Sequence, residues 1–245
     1  MKRSAMAAMI AATVLFVSAC GEKSAAPPAE KAPVAPPVAA APAPPSEAIL
    51  HPDATKLFAS GPDSFTVHMV TSKGPFDIKV HRDWSPKGAD RFYYLVSNGY
   101  YDGIRFFRVL DGFMAQFGMA GDTAVGHVWH DRPFNDDPVK HSNKRGTVTF
   151  AKTGMPNSRG TQLFINFGDN SRLDATGFSP LGEVTTGMSV ADSLYKGYGD
   201  GAESGGQGPS QDRIAAEGNA YLMKEFPKLD YIVSARIAEE WKKPK

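Results

Sequence analysis

Residues 106–116, FFRVLDGFMAQ, combine one cation and one side-chain amide with a mostly apolar stretch that is typical of short β-strands. Arg108 is the only basic residue in this segment and Gln116 the only amide. Burial of an arginine costs free energy unless a partner or a ligand compensates its charge. Arg108 and Gln116 are therefore candidates for a functional site.

A second such region lies between residues 146 and 166 and contains GTVTFA at 146–151 and GTQLFIN at 160–166. Gln162 and Phe164 are two residues apart, so on a strand they would point to the same face. Leu173 and Phe178 follow close behind. Taken singly, such apolar residues are more often ordinary core than the lining of a site.

Other patterns that could do chemistry are weaker. His127 and His130, with Asp131 beside them, have i, i+3 spacing but no third metal ligand. The glycine-rich stretch at 197–208 lacks a strand-to-helix phosphate fingerprint and is interpreted as a mobile loop. No nucleophile-elbow motif supports a hydrolase. The sequence therefore predicts neither a metal nor a cofactor.

Composition excludes several classes of protein. The 245 residues carry 27 Lys+Arg against 26 Asp+Glu, and this balance argues against a broad electrostatic binder of nucleic acid. A single cysteine rules out a disulfide scaffold and a CxxC redox pair. With 42% hydrophobic residues, the chain can build a core of one or two domains.

The N-terminus has the features of an export signal. Lys2 and Arg3 precede an apolar run at 5–17, so residues 1–19 are predicted to be a signal peptide. Residues 17–20, VSAC, resemble the bacterial lipoprotein signal, in which lipid is attached to the cysteine, here Cys20. The alternative is an ordinary secretory signal with a chance cysteine. Gly21 favours the outer over the inner membrane, with the protein in the cell envelope and facing the periplasm.

Residues 20–48 are rich in proline and alanine and are predicted to form an extended tether, because proline fixes φ and removes N–H donors. The folded domain is placed at 60–240. Alternating apolar residues around a turn at 72–74 predict a β-hairpin, and Pro86 opens a helix that Asn98 and Gly99 end. Short strand-like runs follow, then a short helix near 188–194, a helix from Ser210 and a closing strand at 229–237. This pattern indicates a mainly β barrel or sandwich with helical caps.

The motifs at 106–116, 146–151, 160–165, 173–174 and 181–184 occur in an order that resembles the cyclophilin-type peptidyl-prolyl cis/trans isomerases. The resemblance covers the chain from Phe65 to Val190 and the final strand. It implies a closed eight-stranded antiparallel barrel capped by two helices. Residues 197–227 exceed the compact family pattern and predict an extra C-terminal helical segment, which is either structural or a contact for a partner.

The resemblance also implies roles for individual residues. Arg108 would be the catalytic cation, and Gln116 would orient it and the substrate. The proline pocket would consist of Phe113, Met114, Phe164 and Leu173, with Phe178 at its rim. Gln162 would be an amide of the groove, and the backbone of Ala151 and Lys152 would form the edge that binds the residue before proline. Arg172 stands where eukaryotic members often carry a tryptophan that contacts cyclosporin, so we expect weak binding of that inhibitor.

The expected protein is therefore a lipid-anchored, monomeric isomerase of X–Pro bonds in unfolded or newly translocated envelope proteins. Its partners would be proline-containing polypeptides and, through lipid on Cys20, a membrane. The alternative is a chaperone or scaffold module of the same fold that binds proline-containing segments without significant turnover.

Overall fold

The computed structural model describes residues 44–57 and 59–244, so the predicted signal peptide, Cys20 and most of the predicted tether lie outside the described residues. Eight strands form one antiparallel sheet in the order β3-β4-β6-β5-β7-β2-β1-β8. The strands are β1 (Ser64–Thr71), β2 (Gly74–His81), β3 (Arg108–Leu110), β4 (Met114–Phe117), β5 (Thr147–Phe150), β6 (Leu163–Asn166), β7 (Pro180–Thr186) and β8 (Ile232–Trp241). The helices are α1 (Glu47–Leu50), α2 (Ala54–Leu57), α3 (Pro86–Ser97), α4 (Thr123–His130), α5 (Met188–Asp192) and α6 (Gln211–Glu225), with 3-10 turns at Ser171–Thr176 and Ala202–Ser204.

The predicted hairpin is formed by β1 and β2, which pair from Ser64 with His81 to Thr71 with Gly74. Gly74 has φ +123°, a left-handed conformation that favours glycine and allows the tight turn. Buried residues alternate along β1, so Phe65, Val67 and Met69 face the core while the other face is partly or fully exposed.

Helix α3 begins at Pro86, as predicted, because proline at the first position fixes φ and loses only an N–H that would lack a helical partner. A residue that is distant in sequence also caps its N-terminus. The Asp137 carboxylate accepts hydrogen bonds from the Ser85 hydroxyl at 2.7 Å and from the Gly88 N–H at 2.9 Å. This buried contact joins the loop before β5 to the helix.

The sheet curls into a half-barrel that is open between its edge strands β3 and β8, so the prediction of a closed barrel is wrong. Strand β3 has only three residues and starts at Arg108, although the stretch that is typical of β-structure begins at Phe106. Between the two edges the chain forms an isolated bridge, Arg105 with Tyr231, and a few hydrogen bonds such as Phe106 N–H to Asp230 O at 2.9 Å. A ladder this short does not join the two edges into a continuous sheet.

Two helical regions differ from the prediction. Helix α4 was not predicted; Asp122 caps it by accepting from Ala124 N at 2.8 Å. The chain also packs onto the domain before residue 60. Ile49 is 2% exposed and its carbonyl accepts from the Trp129 indole N–H at 3.0 Å, so the segment around α1 belongs to the folded part.

Helix α6 begins after Ser210, as predicted, and the Ser210 hydroxyl accepts from Arg213 N. It packs on the start of β3 through a second, smaller apolar cluster, which consists of Phe107, Ile214, Tyr221, Leu222 and Leu229. The helix is thereby fixed beside Arg108. In the described part of the chain, no helix combines the length and the apolar character needed to cross a bilayer.

Candidate functional site

A groove of about 410 Å³ runs over β3, β4 and β6. It brings together every site residue predicted within the domain: Arg108, Phe113, Met114, Gln116, Ala151, Lys152, Gln162, Phe164, Leu173 and Phe178. Positions that the sequence analysis did not single out for the site also line it, among them Tyr100, Met119, Trp129, His130, Gln211 and Ala215. The groove is thus a mixed apolar and polar concavity.

Arg108 opens β3 and stands directly opposite Gln116 of β4 in the strand register. Its Nη1 donates to Gln116 Oε1 at 3.1 Å, and Gln116 Nε2 donates to Gln162 Oε1 at 2.8 Å. Gln116 is only 7% exposed, so these bonds are shielded from competing water. The two amides therefore hold one edge of the guanidinium in a defined place.

Asp200 holds another edge of the same guanidinium. Arg108 Nε donates to Oδ1 at 2.6 Å and Nη2 donates to Oδ2 at 3.2 Å, which makes a bidentate pair. The hydrogen bond from Arg108 lowers the pKa of the Asp200 carboxyl from its ordinary value. Asp200 could not be predicted from local sequence, because it lies 92 residues from Arg108 within a glycine-rich segment without a recognisable motif.

The apolar side of the groove consists of the residues predicted as a proline pocket together with Phe178 at the rim. Met114 is 2% exposed and Phe164 5% exposed, while Phe113 is half-buried. The rings of Phe164 and Phe178 meet edge to face with centroids 5.7 Å apart. The guanidinium carbon of Arg108 lies 6.0 Å from the centre of the Phe113 ring, so the cation borders this apolar surface.

A buried polar network lies behind the apolar residues. Asn143, which is fully buried, donates to the Phe178 carbonyl at 2.8 Å, and its carbonyl oxygen accepts from the Thr149 hydroxyl at 2.8 Å. Asn170 donates to the Phe113 carbonyl at 2.8 Å. These bonds fix the backbone of two groove residues from the side away from solvent.

The rim beside β5 is formed by Ala151 and Lys152. The Ala151 N–H donates to Gln162 O at 2.9 Å, and the Lys152 ammonium lies 5.6 Å from the centre of the Phe178 ring. On the opposite side Arg172 lies over Phe113 at 4.8 Å. The expected weak binding of cyclosporin stays a prediction.

The histidines noted in the sequence lie on α4, where His130 reaches the groove. Within residues 44–57 and 59–244, no three His, Cys, Asp or Glu side chains lie close enough together to hold a metal ion. What the groove offers a ligand is an apolar surface bordered by a fixed cation and by the side-chain amides of Gln116, Gln162 and Gln211.

Comparisons with known proteins match much of the described part of the chain to one family. Residues 66–216 match the model of the family described as cyclophilin type peptidyl-prolyl cis-trans isomerase/CLD. The chain is 37% identical over 138 residues to peptidyl-prolyl cis-trans isomerase CYP18-1 of Arabidopsis thaliana, covering 54% of this chain and 82% of that protein. It is 33% identical over 133 residues to a peptidyl-prolyl cis-trans isomerase of Acinetobacter baylyi, covering 52% and 70% respectively.

Solved structures share the fold. A cyclophilin-type isomerase of Cryptosporidium parvum superposes with a TM-score of 0.54 at 20% identity, covering 72% of this chain and 99% of that one. The same protein, crystallised in the presence of the dipeptide Ala-Pro, gives 0.53 at 20% identity over 71% of this chain and 99% of that one. The cyclophilin AquaCyp293 of Hirschia baltica gives 0.52 at 21% identity, covering 72% of this chain and 74% of that one. Because the family model spans more than half of the sequence, the chain belongs to the cyclophilin-type peptidyl-prolyl cis-trans isomerases.

Proposed function

We propose that the groove isomerises X–Pro bonds by holding the proline ring on its apolar side while Arg108 stabilises the twisted amide. The observation that carries this proposal is the guanidinium of Arg108 beside Phe113 at the border of an apolar cavity. Phe113, Met114 and Phe164 supply the surface that would bury the ring.

The reaction needs no bond to be made or broken. Rotation about a peptide bond has a barrier of ~18–20 kcal/mol because resonance gives it partial double-bond character. When the bond is turned halfway, the nitrogen lone pair leaves conjugation and can accept a hydrogen bond. A donor fixed at that position binds the transition state better than either planar isomer and lowers the barrier.

Arg108 has the hydrogens for this task. Asp200 accepts from Nε and from Nη2, and Gln116 accepts from Nη1. A guanidinium carries five N–H donors, so one hydrogen on each Nη is left for a substrate. On the other side of the amide, the backbone of Ala151 and Lys152 and the amide of Gln162, which line the same groove, would hold the residue before proline.

The experiment compares two arginines in the full-length chain, purified in detergent, by NMR exchange spectroscopy on a short X–Pro peptide. Arg108→Ala should lower kcat/KM by about 100-fold, the size seen when a donor to a developing charge is removed. Arg145→Ala is the matched control, because Arg145 also forms a bidentate pair, with Asp192, but does not line the groove. It should leave kcat/KM unchanged.

Equal rates for the wild type and Arg108→Ala would refute the proposed mechanism. Peptide binding without exchange in the wild type would instead favour a chaperone or scaffold module.

We further propose that the enzyme acts on unfolded or newly translocated chains at a membrane of the cell envelope, more specifically the outer membrane. The support is the sequence alone: the export signal at 1–19, the lipoprotein-like VSAC, Gly21 and the Pro/Ala-rich tether. Acyl chains on Cys20 would bury methylenes at ~0.8 kcal/mol each.

Expression in a bacterium with labelled fatty acid tests the anchor. Label should enter the wild type and not Cys20→Ser, and the wild type should fractionate with the outer membrane. Equal labelling of both chains, or none of the wild type, would refute the anchor.

A further inference from the structure

The glycine-rich segment at 197–208 contacts the proposed catalytic cation, although it contains no recognisable motif. Its Asp200 carboxylate accepts from two nitrogens of Arg108, and the two side chains are 31% and 23% exposed. This pair links the glycine-rich segment to the groove. The carboxylate has two conceivable roles: it competes with a substrate for the guanidinium, or it holds the guanidinium in place.

The segment is folded around Asp200. Gly208 N–H donates to the Asp200 carbonyl at 2.8 Å, and Gly201 N–H donates to Asp200 Oδ1 at 2.8 Å. A side chain at Gly206 or Gly208 would place its Cβ closer than 3.0 Å to that carbonyl oxygen. Glycine at these positions therefore lets the chain wrap closely enough to fix both the backbone and the carboxylate of Asp200.

A second contact, from the helix that follows this segment, reaches Arg108 indirectly. Gln211, the first residue of α6, accepts from Gln162 Nε2 at 3.3 Å. The donors run in one direction, from Arg108 to Gln116, from Gln116 to Gln162 and from Gln162 to Gln211. The last acceptor thus sets the orientation of both preceding amides.

The carboxylate lies outside the cavity itself. Asp200 is not among the residues that line the groove, whereas Arg108 and Gln211 are. Asp200 takes the Nε edge of the guanidinium and leaves a hydrogen on each Nη. The geometry therefore favours a support that holds the cation in place over a competitor that blocks it.

We propose that Asp200 and Gln211 are positioning residues that fix the guanidinium of Arg108 in its catalytic orientation, Asp200 directly and Gln211 through Gln162 and Gln116. This inference rests on the proposed role of Arg108. An arginine side chain has many rotamers, so a cation held from two edges is already oriented when the amide begins to turn. The glycine-rich segment and the start of α6 would then hold the catalytic arginine in its orientation.

The test measures kcat and KM for an X–Pro peptide by NMR exchange, with the full-length chain in detergent. Asp200→Ala should lower kcat about tenfold and leave KM nearly unchanged, because Asp200 does not line the groove. Asp200→Glu should recover part of the loss, and Gln211→Leu should lower kcat by roughly threefold. Asp192→Ala is the control, since it breaks a comparable pair with Arg145 and should change neither constant.

Two further measurements separate positioning from a general loss of structure. In an Arg108→Ala background, Asp200→Ala should cause no further loss, because its effect passes through Arg108. The Nε–H resonance of Arg108 should be sharp and slow to exchange in the wild type and should broaden in Asp200→Ala while the thermal midpoint stays within a few degrees.

An unchanged or faster Asp200→Ala enzyme would overturn the inference, and a faster one would identify the carboxylate as a competitor for the cation. An additional loss in the Arg108→Ala background would also overturn it. Full activity of Arg108→Ala itself would instead refute the proposed mechanism, and with it this inference.

Discussion

The two sides of the groove are built on different principles. The apolar side, with Met114 and Phe164 on neighbouring strands, is held by burial and ring packing, which have little directionality. The polar side, from Arg108 through Gln116 to Gln162, is held by hydrogen bonds with fixed donors and acceptors. Shape complementarity is enough to bind a proline ring, but a twisted amide needs a hydrogen-bond donor that is held in one orientation.

The two sides also differ in what supports them. Asn143 and Asn170 secure the backbone of the apolar residues from within the domain. Asp200 and Gln211, which secure the polar side, come from the glycine-rich segment at 197–208 and from the start of α6. Substitutions on the two sides should therefore separate: changes on the apolar side should act on stability or KM, and changes on the polar side on kcat.

The largest expected effect is on stability, from Asn143→Ala. The substitution removes the donor to Phe178 O and the acceptor for Thr149 in a fully buried site. Groups left without partners there should cost about 2–4 kcal/mol of unfolding free energy. Urea denaturation measures the change. Asn98→Ala, which loses a bond to Tyr94 O at a half-exposed helix end, should cost under ~1 kcal/mol, and equal costs would contradict the account.

Next in size is the effect of Phe113→Ala on binding. Loss of this ring from the groove should lower kcat/KM roughly 10- to 100-fold, mainly by raising KM, because apolar surface for the proline ring is lost. Steady-state exchange rates over a range of peptide concentrations give both constants. Trp84→Ala removes an aromatic ring stacked between two histidines away from the groove and should leave KM unchanged. A loss confined to kcat would contradict the proposal that the apolar side acts on KM and the polar side on kcat.

The ion pair between Arg108 and Asp200 should persist to unusually low pH. The pKa of Asp200 is lowered by its bond from Arg108, so the carboxylate stays ionised in the folded state below its ordinary value of 3.8. Its contribution to stability is fully present above the unfolded pKa and is lost as pH falls through the folded one. Wild-type kcat should be flat from about pH 8 to pH 5, and a decline within that range that Asp200→Asn abolishes would contradict this expectation.

The smallest expected effect comes from Lys152→Ala at the rim. The resemblance assigns this position a role for main-chain atoms, and the ammonium only lies over the Phe178 ring at 5.6 Å. A partly exposed cation–π contact of this kind is worth ~0.5 kcal/mol, so kcat/KM should change by no more than about twofold. A tenfold loss in the same exchange assay would show that the side chain itself binds substrate.

Local patterns predicted the elements whose causes lie close together in sequence. The hairpin of β1 and β2 follows from alternation around a tight turn, and α3 and α6 follow from residues at their N-termini, Pro86 and Ser210. Helix α4 was missed because Gly126 and two histidines interrupt its pattern, although Asp122 is a helix-capping signal. The closed barrel was an inference from the family and failed where β3 proved too short.

The groove shows the same limit. Residues such as Phe113, Gln116 and Phe164 lie within family motifs, and the structure places them together. Asp200 and Gln211 belong to no motif, and nothing in their neighbours' sequence indicates a contact with Arg108 or Gln162. Such contacts depend on how α6 packs on Phe107, a tertiary event that local patterns do not encode.

A crystal structure of the protein with a short X–Pro peptide tests the central claim most directly. The proposed mechanism predicts a proline ring against Phe113, Met114 and Phe164, with the prolyl amide group within ~3 Å of an Nη of Arg108 while Asp200 keeps its bonds to Nε and Nη2. A ring bound outside this groove, or a guanidinium turned away from the amide, would contradict it.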